Sequence, residues 1–169
     1  MELTLEQVTF RLIIALVLSS IIGLEREFMG KPAGMRTHAL VGLGAAIMTV
    51  CGVLIAAAYN DADGTVSVDP TRLASVVIQG IGFIGAGVII QARGAVKGLT
   101  SAATLWFAAA LGISTGFGYW SVAVISTVMA LLLLIVFRKF EEEAERLEFI
   151  RHSHNGDGTG KRRSNRKKT

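Results

Sequence analysis

Five stretches of this chain are apolar around the whole circumference of any helix they form, and this limits its fold more than any other feature. A helix needs about 20 mostly apolar residues to cross a hydrocarbon core about 30 Å thick. Residues 8–24, 38–59, 73–92, 99–116 and 119–137 meet or approach that length. The fifth run is the strongest, unbroken over 131–136; the fourth is the weakest, with Thr100, Ser101, Thr104, Ser114 and Thr115. A helix lying on a soluble core keeps a polar face, and these runs have none. Only 18% of the residues are charged, below the roughly 25% of a soluble domain. The expected fold is all-α: an integral membrane bundle of about five transmembrane helices.

Turn signals separate the runs: Lys31-Pro32-Ala33-Gly34, the polar stretch 60–70, Arg93-Gly94 and Gly116-Phe117-Gly118. The charges then set an orientation. Arg26, Lys31 and Arg36 follow the first run, Arg93 and Lys97 follow the third, and ten of the 17 Lys and Arg lie in 138–168. The second connection instead holds Asp61, Asp63 and Asp69 with Arg72, and the fourth holds no charge. Five spans bring all three basic regions to one side, which the positive-inside rule makes cytoplasmic. The N-terminus is then outside and the C-terminus inside, with Tyr59, Tyr119 and Trp120 at the outer interface. The first residues lack the basic start of a signal peptide, so the first run is expected to stay as a helix. Residues 1–137 are expected to form the membrane domain. Residues 138–152 read as a charged cytoplasmic helix with i,i+4 pairs such as Arg138 with Glu142. Residues 155–169 read as a disordered basic tail, either simply solvated or bound to anionic lipid at about 1 kcal/mol per charge.

Several function classes drop out. Only six charges lie between Thr37 and Phe137, so no helix there can present a basic stripe to nucleic acid. A single cysteine, Cys51, excludes a disulfide within the chain and a cysteine-built zinc site. No catalytic constellation, phosphate-binding loop or cofactor motif stands out. Gly80-Ile81-Gly82-Phe83-Ile84-Gly85 matches a dinucleotide fingerprint in letters alone, since it lies inside an apolar run. Gly80, Gly82, Gly85 and Gly87 instead read as small residues that let helices approach, as do Gly112 and Gly116.

Polar residues in or beside the runs are the functional candidates. Gln79 needs a partner if buried, either another helix or a polar path it shares with Arg72. Arg11 can snorkel to the outer surface or pair with an acid of the second connection. Glu25, Arg26 and Glu27 end the first run, and Arg36 and His38 open the second. A boundary needs only positive charge to stop transfer, so the two carboxylates point to a polar site or partner surface. They suit a hydrated Mg²⁺, which uses one or two carboxylates and keeps its waters; they suit ion pairs with Arg26 and Arg36 equally.

Taken together, Gly23-Leu24-Glu25-Arg26-Glu27, Gly34-Met35-Arg36-Thr37-His38-Ala39-Leu40-Val41, Asp69-Pro70-Thr71-Arg72-Leu73, Gly80 with the residues up to Val88, and Gly98-Leu99-Thr100-Ser101-Ala102-Ala103-Thr104-Leu105-Trp106 resemble the MgtC/SapB membrane family. The likeness covers about residues 10–137. It implies a small multi-pass protein of the bacterial inner membrane, with roles in magnesium limitation, survival inside host cells or acid stress. It also implies that Glu25, Arg26, Glu27, Arg36, His38, Arg72 and Gln79 are the shared polar residues. Virulence-type members tend to carry Asn and Cys where this chain has Thr100 and Phe107, and they add a soluble ACT-like domain. The short SapB-like form is the nearer match. The expected function is a non-enzymatic interaction or regulatory role in magnesium-limitation or stress adaptation. The alternative is a small Mg²⁺ transporter or channel subunit working as an oligomer. Expected partners are the bilayer, another membrane protein or a second copy, Mg²⁺, and anionic lipid at the tail.

Overall fold

A computed structural model describes the backbone of residues 3–60, 67–92 and 95–160, and the side chains of 3–60, 67–89 and 96–140. Its helices are α1 (Leu5–Phe28), α2 (Met35–Tyr59), α3 (Thr71–Val88), α4 (Leu99–Gly116) and α5 (Trp120–Gly160). All five are long and apolar enough to cross a membrane, α5 through its Trp120–Phe140 part. Residues Met1–Ala130 form one compact unit and Leu131–Thr169 a second.

Local chemistry sets the helix ends. Thr4 and Gln7 form a reciprocal capping box at the start of α1: the Gln7 amide donates to Thr4 Oγ1 at 3.3 Å and the Thr4 amide to Gln7 Oε1 at 3.2 Å. Beyond the last turn, the Lys31 amide donates to the Arg26 carbonyl and the Gly30 amide to that of Glu27, both at 3.0 Å. This pairing needs a left-handed residue, and Gly30 supplies it at φ 60°. α4 ends the same way at Gly118, φ 92°, with the Tyr119 amide bonded to Ser114 and the Gly118 amide to Thr115.

The core of the first unit is built where α2 packs against α1 and α4. It is lined by small residues: Ala15 and Ser19 on α1, Ala45, Ala46 and Thr49 on α2, Ala108, Ala109 and Thr115 on α4. A side chain on Gly42 would strike the Ser19 hydroxyl, and one on Gly112 would strike the Gly42 carbonyl and stand 2.8 Å from the Ala45 methyl. One on Gly116 would stand 2.6 Å from Thr49 Cβ. Lipid supplies no hydrophobic drive between helices, so association rests on this close van der Waals approach. The buried hydroxyls of Thr49 and Thr115 bond back to their own helices. Ser19 is fully buried and its hydroxyl has no hydrogen-bond partner among the described residues.

Two regions differ from the sequence reading. The third run leaves the helix at Val88, not at residue 92, and a short antiparallel hairpin follows: β1 (Ile90–Ala92) with β2 (Ala95–Lys97), Gln91 opposite Val96. The β-branched Val88-Ile89-Ile90 run favours extended backbone, and the pairing satisfies amides the helix no longer does. At the other end, α5 continues through 155–160, where a disordered tail was expected. Each residue added to an existing helix gains a hydrogen bond without a new nucleus. Residues 161–169, which hold the basic end proposed for anionic lipid, lie outside the described residues.

Just ahead of α3, Asp69 Oδ1 accepts from the Thr71 hydroxyl at 2.7 Å and the Thr71 amide at 2.8 Å. These bonds, the hydroxyl first, hold its carboxyl below the usual range. A lowered carboxyl favours the folded turn above the ordinary carboxylate value and loses that benefit as pH falls through the lowered one. Protection of the Thr71 amide from hydrogen exchange should therefore drop on acidification below about pH 4, and Asp69→Asn should abolish that dependence. Gly112→Leu should destabilise the protein by about 1–3 kcal/mol through overpacking, seen as a lower melting temperature in detergent. Gly44→Leu should leave it unchanged, because a side chain there meets nothing within 4 Å among the described residues.

Candidate functional site at one end of the bundle

Of the expected polar residues at the end of α1 and the start of α2, His38 reaches the first turns of α4. Gly23 makes this possible: a side chain there would stand 2.7 Å from Met35 Cα and 2.8 Å from His38 Cβ. The first turn of α2 therefore rests directly on α1.

Arg26 is 5% exposed. It pairs two-pronged with its chain neighbour Glu25, Nε donating to Oε2 and Nη2 to Oε1 at 2.8 Å. Adjacent residues on a helix point to different faces, so the pair forms by both side chains folding together over the end of α1. The two side chains are only 6% and 11% exposed. Losing one partner of such a pair strands a buried charge, which costs about 3–5 kcal/mol.

Glu27 has a different task. Gly34 offers α2 no side-chain cap, and Glu27 Oε2 accepts from the Met35 amide at 2.8 Å instead. A carboxylate at a helix N-terminus is favoured by the exposed amides and the helix dipole. Gly34 leaves room for it, since a side chain there would stand 2.6 Å from Glu27 Oε2.

His38 is fully buried and joins α2 to α4. Its Nδ1 lies 3.0 Å from the Gly34 carbonyl and its Nε2 lies 3.0 Å from Thr104 Oγ1. The carbonyl can only accept, so Nδ1 carries a proton. Thr104 Oγ1 is also 2.9 Å from the Ser101 carbonyl. With a neutral ring, Nε2 and that carbonyl compete for the one hydroxyl proton. With a charged ring, Nε2 donates to Thr104 and the hydroxyl donates to Ser101.

The remaining candidates are not part of this cluster. Arg36 is exposed and has no hydrogen-bond or ion-pair partner among the described residues. Arg72 and Gln79 lie on an exposed side of α3. The carbonyl of Pro70, two residues before Arg72, faces Gly52, which is about 21 Å of helix from His38. Gly112 and Gly116 lie in the tight α2–α4 contact, whereas a side chain on Gly80, Gly82 or Gly87 would meet nothing within 4 Å among the described residues. A methyl on Gly85 would lie 3.7 Å from that of Ala102.

Arg11 neither snorkels free nor meets an acid among the described residues. It donates from Nη1 to the Gly116 carbonyl at 2.7 Å, and its Nη2 lies where a Gly118 side chain would be. The guanidinium thus neutralises the C-terminal carbonyls of α4. Sequence reading missed this contact and the roles of Ser101 and Thr104. The signal for Thr104 was a hydroxyl in the least apolar run. For Arg11 there was none, because the acceptor is a backbone carbonyl.

Among the described residues, no three His, Cys, Asp or Glu side chains cluster in a way that could hold a metal ion. The carboxylates of the cluster are engaged with Arg26 and with the start of α2.

Five membrane-spanning helices with a buried polar cluster at one end of the bundle define a multi-pass membrane protein. The profile of the MgtC family matches residues 12–143, and the chain belongs to that family. It is similar to YhiD of Escherichia coli strain K12, described provisionally as a magnesium transporter, with 41% identity over 76% of this chain and 60% of YhiD. It is 43% identical to an uncharacterised protein of Haemophilus influenzae over 72% of this chain and 52% of that one. It is 37% identical to the MgtC protein of Salmonella typhimurium strain LT2 over 86% of this chain and 58% of MgtC. The chain thus spans little more than half the length of these curated relatives. No solved structure matches it. It is a multi-pass protein of the bacterial inner membrane.

Glu25→Ala should lower stability by about 3 kcal/mol or more, because Arg26 is left buried and unpaired. The double variant Glu25→Leu with Arg26→Met should recover most of that loss. Thermal denaturation in detergent checks both.

Proposed function

We propose that this protein has an interaction or regulatory role in adaptation to magnesium limitation or related stress, exercised through the polar end formed by α1, α2 and α4. The observation that carries the reading is the engagement of both carboxylates at that end with the protein itself. Glu25 is bound to Arg26 through both oxygens, and Glu27 is bound to the Met35 amide. Three of these four oxygens are engaged, so Mg²⁺ and its waters would have to compete with bonds the protein already makes. Held as they are, they form a fixed polar shape, next to which Phe28, Lys31, Met35 and Arg36 are exposed. Such a mixture of apolar and basic groups suits a protein partner better than a small ion. The positive-inside rule places this end in the cytoplasm.

The packing of the core supports the same reading. Gly42, Gly112 and Gly116 bring the backbones of α2 and α4 together, and Gly42 seats the Ser19 side chain of α1 against α2, which argues against an ion path between them. A second reading, a Mg²⁺ transporter or channel subunit, is favoured by the name of YhiD. It would place the path outside this core, along the exposed side of α3 that carries Arg72 and Gln79.

A deletion strain grown in low magnesium separates the two. The wild-type gene should restore growth, and the Glu25→Leu with Arg26→Met variant should not, although it reaches the membrane at normal levels. Purified protein in liposomes should pass no Mg²⁺. Flux that disappears in Arg72→Ala would establish the transporter reading instead.

A further inference from the structure

The start of α4 differs from the other helix starts of the first unit. α1, α2 and α3 each have a side-chain oxygen on a first-turn amide, supplied by Thr4, Glu27 and Asp69. α4 is the most buried of these four helices, and it has no such oxygen. Its N-cap is Gly98, at φ 89°, which offers no side chain. The amides of Leu99, Thr100 and Ser101 have no acceptor among the described residues. Glu25 and Glu27 lie at the same end of the bundle, but their bonded oxygens serve Arg26 and the Met35 amide.

Ser101 adds a second unmet donor. It is 2% exposed. Its carbonyl takes the Thr104 hydroxyl, while its own hydroxyl makes no hydrogen bond among the described residues. A buried hydroxyl without a partner is costly. Side chains on a helix lean towards its N-terminus, so this hydroxyl stands beside the first-turn amides.

A buried cation lies at the same level. Arg11 reaches the Gly116 carbonyl, and Ser19 and the Ala108 carbonyl both border Gly42. Eight residues separate Arg11 from Ser19, and eight separate Gly116 from Ala108, so α1 and α4 run antiparallel in step. Seven residues further, about two turns and therefore the same face, bring Arg26 level with Ser101. Arg26 shares the buried face of α1 with Ala15, Ser19 and Ile22. Its Nε and Nη2 hold Glu25, and its Nη1 has no partner among the described residues. At the other end of α4 Arg11 meets carbonyls, which a cation favours. Here Arg26 faces amides, the positive end of the helix dipole, and Glu25 cancels only its own share of that charge.

We propose that the first turn of α4, with Ser101 and Arg26, binds a phosphate group at the cytoplasmic surface of the membrane, carried on a lipid headgroup or free in solution. Backbone amides at a helix start and a guanidinium are the donors that phosphate recognition uses. Three amides, the Ser101 hydroxyl and the free Nη1 outnumber what a single carboxylate would satisfy. Thr100 and Lys97 are exposed beside them and add a hydroxyl and a second cation. The inference goes beyond the role proposed above and rests only on the cytoplasmic placement of this end.

Thermal denaturation of the full chain, delipidated in an uncharged detergent, tests it. Inorganic phosphate should raise the melting temperature above that in chloride at equal ionic strength, as a ligand of the folded state does. Ser101→Ala removes a hydroxyl that has no partner, so the value in chloride should hold. The half-saturating phosphate concentration should rise about tenfold or more, the worth of one hydrogen bond to a charged group. Thr100→Asp puts a carboxylate on the same amides. It should raise the value in chloride and abolish the response to phosphate. Phosphatidylglycerol, with diacylglycerol as its phosphate-free control, distinguishes the sources. A response to the phospholipid where inorganic phosphate has none assigns the site to a headgroup, and the converse assigns it to free phosphate. No stabilisation by either probe would overturn the proposal, and so would a response that Ser101→Ala or Thr100→Asp leaves unchanged. Growth in low magnesium, which tests the role above, is read separately.

Discussion

Everything else in the first unit depends on how closely three helix backbones approach one another. Gly42 meets the Ser19 side chain of α1, and its carbonyl faces Gly112 of α4, so α2 packs on both helices with at most a small side chain intervening. In water, small residues bury little area and contribute little. In lipid the comparison changes, since tails are as apolar as the leucines they would displace and only closer packing separates protein from lipid. The glycines convert that closeness into a fixed arrangement. The fixed arrangement in turn carries His38 to Thr104 and the start of α2 to Glu27.

The polar cluster therefore belongs to the scaffold as much as to any function. Glu27 begins one helix, His38 joins two, and Glu25 keeps a buried guanidinium neutralised. The directional bonds at this end add to the arrangement that the glycines already fix, and they do so where α1 turns into α2.

The sequence made the helices legible because their signal is length and apolarity, which need no knowledge of partners. The turn at Gly118 was legible for a similar reason, being a local demand on φ, whereas the first break was read at 31–34 and the left-handed residue is Gly30. The site was legible only in part. Glu25, Arg26, Glu27 and His38 stood out as charged or polar groups beside apolar runs, and they do come together. Their pairing did not stand out: Glu25 takes its nearest chain neighbour, whereas Arg36, equally available by sequence, stays outside. The glycines of α3 and α4 looked alike as letters, yet Gly112 lies in a helix contact and Gly80 faces outward. That difference is set by which side of each helix meets α2, and no local pattern records it.

The contact between Arg11 and the Gly116 carbonyl bears on how the chain is made. Donor and acceptor are 105 residues apart, and synthesis runs at about 5–20 residues per second. For roughly 5–20 seconds the first helix is finished while the carbonyl that will take its guanidinium does not yet exist. During that interval the Arg11 guanidinium has no α4 carbonyl to bond. The contact that ties the start of the first helix to the end of the fourth can therefore form only after the fourth has been made.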